Sequence, residues 1–97
     1  MSYACCYEVP ATIDMYREVR RLIGDEPATG MVAHVVVRNE SGLRHVEVWK
    51  TEAACSRFRE DRVEPAVHDV LRAAGYTEMP PEPSIEELEL VDVQLGS

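Results

Sequence analysis

Positive charge is scarce in this chain. Lys50 is the only lysine, and 10 Lys plus Arg stand against 18 Asp plus Glu, a formal charge of −8. Such a field repels phosphate backbones, and no Lys/Arg run makes a local basic stripe, so no nucleic-acid partner is expected. Cysteine is sparse as well. There are three, an odd number, and Cys5 and Cys6 are adjacent with no Cys-x-x-Cys pair anywhere. Neither a zinc site nor a disulfide framework is indicated, and buried thiols acting as small apolar groups are expected. No segment approaches the ~20 apolar residues that cross a bilayer, so no membrane partner is expected. The opening run Met1-Ser2-Tyr3-Ala4-Cys5-Cys6-Tyr7-Glu8 has no basic start and no apolar core of signal-peptide length, which makes the cytoplasm the expected location. There is no Gly-rich phosphate loop, no nucleophile elbow and no His-x-x-x-His pair.

What is present suits one small globular domain over residues 1–97, with 45% hydrophobic and 29% charged residues. No repeat and no linker divides it. So short a chain buries a modest share of its surface, and a second copy covering a sheet face would help it.

Tyr3 to Val9, ended by Pro10, reads as a first strand. Thr12 is placed to cap a helix in which Ile13, Tyr16, Val19 and Ile23 recur at helical spacing before Gly24 stops it. Asp25 to Gly30 is a loop. Met31 to Arg38 is too β-branched for a good helix, and Leu43 to Trp49 alternates, so the two read as a hairpin about Asn39-Glu40-Ser41-Gly42. Thr51 caps a second helix carrying Ala54, Cys55 and Phe58. Pro65 interrupts that helix and starts a new segment with Ala66, Val67, Val70, Leu71 and Ala74, stopped by Gly75. After Pro80, Pro81 and Pro83, Ile85 to Leu95 reads as a final strand. The order β-α-β-β-α-β is the ferredoxin-like plan, an α+β fold on an antiparallel sheet.

Strand parity sharpens this reading, because successive side chains point to opposite faces. A hairpin loop of even length places Val32, His34, Val36 and Arg38 with Leu43, His45, Glu47 and Trp49. A two-residue loop Ser41-Gly42 sets His34 opposite Trp49, whereas a loop Asn39 to Gly42 sets it opposite Glu47. The other face collects Ala33, Val35, Val37, Val46 and Val48. That aliphatic face is expected to pack on the helices. The mixed face, too apolar for water and too polar for an ordinary core, is expected to meet a partner subunit and enclose a semi-polar cavity.

The run Val46-Glu47-Val48-Trp49-Lys50-Thr51-Glu52-Ala53-Ala54, followed by Phe58, resembles the third-strand-to-helix signature of the dimeric α+β barrel superfamily. Its antibiotic biosynthesis monooxygenase-like branch is similar through His34, the Gly42 turn, Trp49 and Arg62-Val63-Glu64-Pro65-Ala66 as well. The resemblance implies a homodimer with a cavity for a small hydrophobic or aromatic ligand. In the quinol-oxidising branch no metal or flavin is needed: polar groups favour a carbanion of a phenolic substrate that reacts directly with oxygen. Trp49 matches that branch's third-strand tryptophan, and no cofactor or metal is implied. The asparagine and arginine of its cavity have no clear counterpart, and Arg38 is the nearest basic residue. The heme-degrading branch ligates heme through a helical histidine, and the matching position, 19 residues past Trp49, is His68. That branch's second tryptophan falls on Phe58, and its first-strand asparagine is missing.

The candidate site is therefore His34 as a general base near its ordinary pKa, Glu47 to orient it or hold a proton, and Trp49 as a flat apolar wall. Tyr7 and Arg38 are outer candidates for contacting substrate, and His68 matters only if heme binds. Three readings follow: a cofactor-independent monooxygenase-like enzyme, a non-catalytic ligand-binding or assembly module, and a heme-binding protein. Glu86, Glu87 and Glu89 are expected to be a solvated strand edge that resists mispairing.

Overall fold

A computed structural model describes residues 2–96. The expected element order is present: β1 (Tyr3–Val9), α1 (Ile13–Ile23), β2 (Met31–Asn39), β3 (Gly42–Trp49), α2 (Glu52–Phe58), α3 (Glu64–Ala73) and β4 (Glu86–Leu88). The four strands form one antiparallel sheet in the order β2-β3-β1-β4, the ferredoxin-like α+β arrangement.

Local chemistry sets the boundaries. The Thr12 and Thr51 hydroxyls accept from the backbone N–H groups of Met15 and Ala54, each at 3.1 Å, which satisfies amides that a helix start leaves orphaned. The new helical segment expected at Pro65 is α3, and the interruption before it has a particular form. Arg59–Val63 forms a π-helical turn that carries α2 into α3, and Pro65 sits in the first turn of α3, where its missing N–H costs nothing. Arg62 in that turn donates to the carbonyls of Ile23 and Glu26, both at 3.0 Å, and so clamps it to the end of α1.

The hairpin pairs His34 with Glu47 and Asn39 with Gly42, the second of the two expected registers. Gly42 is required where it stands. Its φ is +135°, and a Cβ there would lie 2.3 Å from the Val9 carbonyl oxygen. At the far end of the pair a bulge between Met31 and Ala33 sets Met31, not Val32, opposite Trp49.

Two expectations are corrected. The last strand is three residues long and does not run from Ile85 to Leu95. Leu88 pairs with Ala4, so in an antiparallel register the chain beyond it runs past the start of β1 at Tyr3 and has no ladder to join. The two sheet faces are also exchanged. The mixed face packs on the helices: Trp49, Cys5 and Cys55 of α2 form a fully buried core, joined by Tyr3, Met31, Ala54 and Phe58. The aliphatic face is the open one, with Val35 and Val37 exposed by 53% and 47%. The physical reason is that the polar groups of the mixed face satisfy one another, which removes the cost of burying them.

Candidate functional site

Glu47 is the centre of that buried face. It stands midway along β3, a central strand, with its side chain 9% exposed. Parity places His45 and Trp49 of the same strand beside it, and the β1–β3 register brings Tyr7 opposite His45 and Cys5 opposite Glu47. The carboxylate uses both oxygens. Oε1 accepts from the Trp49 indole N–H at 2.9 Å, with the Cys55 thiol at 3.8 Å, and Oε2 accepts from the Tyr7 hydroxyl at 2.6 Å. No buried side-chain nitrogen or oxygen among the described residues lacks a partner.

His34 enters from β2, its side chain 22% exposed, with Nε2 3.8 Å from Glu47 Oε2. The same Nε2 is 3.0 Å from Nδ1 of His45, so one proton is shared between the two rings. His45 is sandwiched further: the Tyr7 ring stacks on it at 4.7 Å, and Tyr16 of α1 meets it edge-on at 5.6 Å. Burial pushes the His45 pKa down to about 4, with the neighbouring His34 ring adding to the effect. Burial lowers the His34 pKa as well, against the attraction of Glu47. Both shifts favour the neutral ring. The Tyr7 hydroxyl is raised above its ordinary value by burial and by the Glu47 carboxylate it touches. Burial also raises Cys5, and it carries Cys55 to about 12 although Arg59 donates to that sulfur at 3.2 Å.

Four of the residues singled out from sequence thus come together: His34, Glu47, Trp49 and Tyr7. They meet on the mixed face as grouped by parity, but the helices cover that face, where a partner was expected to. Arg38 does not join them. It is exposed at the end of β2 and, with Arg17, lines an open depression against Pro10 and Thr12. His68 is half-buried on α3 and is not among the donor groups that gather around Glu47. Phe58 packs its ring against Trp49 at 5.4 Å, with the Arg62 guanidinium 5.1 Å from its own centroid. Sequence reasoning missed His45, Cys5 and Cys55. The signal for His45 was its shared parity with Glu47; Cys55 reaches the site from a helix, which no strand pattern reveals.

No protein-family model and no curated protein matches the chain by sequence. Solved structures match it by fold. A candidate antibiotic biosynthesis monooxygenase of Chloroflexus aurantiacus J-10-fl superposes with a TM-score of 0.59 at 16% identity over 97% of each chain. The NE2512 protein of unknown function from Nitrosomonas europaea gives 0.60 at 19% identity, covering 99% of this chain and 93% of its own. Rv0793 of Mycobacterium tuberculosis gives 0.51 at 15% identity over 94% and 95%. At such identities the likeness is one of fold. It bears out the ferredoxin-like α+β fold and leaves chemistry to the residues themselves. No helix among the described residues is long and apolar enough to cross a membrane.

Proposed function

We propose that the chain is an enzyme of the cofactor-independent monooxygenase type, in which His34 takes a proton from a small phenolic or aromatic substrate. The observation that carries this reading is the half-open His34 ring, backed by a second imidazole at 3.0 Å and a carboxylate at 3.8 Å. The carboxylate favours the proton on Nε2, donated to His45 Nδ1, and this leaves His34 Nδ1 bare as the base. Once Nδ1 takes a proton, the imidazolium is held by Glu47, whose own position is fixed by Tyr7 and Trp49. The substrate carbanion then reacts with dioxygen. The ring carbon, which keeps its own hydrogen, forms a hydroperoxide that takes back the proton held on His34. Loss of water across its C–H and O–O bonds leaves a carbonyl, so the substrate supplies all four electrons and both hydrogens of the water.

Dioxygen uptake with a panel of polyhydroxylated aromatics tests this. Replacing His34 with Ala should bring uptake to background while circular dichroism stays unchanged; undiminished uptake would remove His34 from the reaction. A second reading, a non-catalytic ligand-binding or assembly module, is favoured by the completeness of the buried hydrogen-bond network. In that case His34→Ala costs stability and leaves ligand affinity nearly unchanged.

We also infer a homodimer formed through the open aliphatic face. Val35 and Val37 lie exposed side by side on it, and a second sheet laid across would withdraw them from water.

A further inference from the structure

Three donor atoms from two strands converge beside the exposed edge of the cluster: Nε2 of His34, Nδ1 of His45 and a carboxylate oxygen of Glu47, all within 4.8 Å of one another. We propose that these three atoms bind a divalent transition-metal ion of the zinc class.

Both separations from His34 are close to those of a coordination sphere. Ligand bonds of about 2.0–2.1 Å in a tetrahedral site put donor atoms about 3.3 Å apart. The observed separations, 3.0 Å between the two nitrogens and 3.8 Å between His34 Nε2 and Glu47 Oε2, bracket that value. Two imidazoles and a carboxylate suit zinc, iron(II) and cobalt(II) rather than the all-oxygen sites of calcium and magnesium. The supports for such ligands are already built. The Tyr7 hydroxyl and Trp49 N–H hold the carboxylate, and Tyr7 and Tyr16 fix the His45 ring from two directions. The exposed part of His34 gives the ion an entry path, and the fourth position is left for water or a ligand.

Sequence spacing conceals this set. The two histidines lie 11 residues apart and become neighbours only through the β2–β3 register. The inference goes beyond the catalytic reading and does not depend on it. An ion on His34 Nε2 requires the proton on Nδ1, the atom the base needs bare, so a bound ion and turnover exclude one another.

Cobalt(II) titration of the full chain, followed by visible absorption, reads the site directly whether or not any substrate is turned over. The expected result is d–d bands that saturate at one ion per chain, are displaced by zinc, and weaken at least about tenfold in affinity in His34→Ala and in Glu47→Gln. Circular dichroism of each variant establishes that it is folded, and His34, the most exposed ligand, is the variant least exposed to misfolding. Absence of bands in the wild type overturns the proposal. So do bands that survive His34→Ala, or that carry thiolate charge transfer, since the ion would then sit on Cys5 and Cys55, which also converge on Glu47.

Discussion

Trp49 and Glu47 stand two residues apart on β3, and the indole N–H of the first donates to the carboxylate of the second at 2.9 Å. Because alternate residues share a sheet face, the tryptophan that fills the core also supplies the hydrogen bond that lets an acid sit there. The other carboxylate oxygen depends on Tyr7, which reaches it from the neighbouring strand.

Replacing Tyr7 with Phe should therefore cost about 1–3 kcal/mol, the penalty for leaving a buried acceptor short of a partner. The ring and its stacking on His45 are retained, so urea unfolding reports the hydroxyl alone. A midpoint unchanged from the wild type would mean that Glu47 finds another donor.

Gly42→Ala should destabilise by about 1–3 kcal/mol through overpacking. The new Cβ meets the Val9 carbonyl, which belongs to a central strand and has little room to move, while the positive φ adds strain. Thermal unfolding checks this, and a neutral result would show that the β1–α1 connection gives way at little cost.

Acid should weaken the metal-free protein in a window set by His45. The unfolded ring protonates below its ordinary 6.5, whereas the folded ring resists until about 4. The folded pKa is the lower one, so this contribution is fully present above the unfolded value and is lost as pH falls toward the folded value, with roughly 3 kcal/mol as an upper limit. His34 and Glu47 face the same ring, and Arg20 bears on His34. Urea midpoints at about pH 7 and about pH 5 should differ less in His45→Gln than in the wild type. An equal difference in both would place the acid sensitivity elsewhere.

Native mass spectrometry should find a dimer, and Val35→Glu combined with Val37→Glu should convert it to a monomer with unchanged circular dichroism. A monomeric wild type would contradict the assignment of the open face.

The fold was legible in the sequence, and the site was legible in part. Helix caps at Thr12 and Thr51, the stop at Gly24 and the common face of His34 and Glu47 follow from local chemistry and parity, whereas the choice between the two hairpin registers does not. Parity states which residues share a face but not which face is covered. The usual guide, that the aliphatic face goes inside, failed because His45, Glu47, Tyr7 and Trp49 hydrogen-bond and stack among themselves and so tolerate burial. Val35 and Val37, read as core, are left outside. The length of β4 was not legible because it depends on where its partner strand begins, and the π-helical turn was not because nothing in Arg59–Val63 departs from helical composition.

The most direct test is the protonation state of the two histidines, read by long-range proton–nitrogen NMR of the imidazole rings in metal-free protein at neutral pH. Both rings should be neutral, with His34 carrying its proton on Nε2 and His45 bare on Nδ1, and phenolic ligands should move the His34 signals first. A charged His34 ring, or a proton on its Nδ1, would contradict the assignment of that atom as the base.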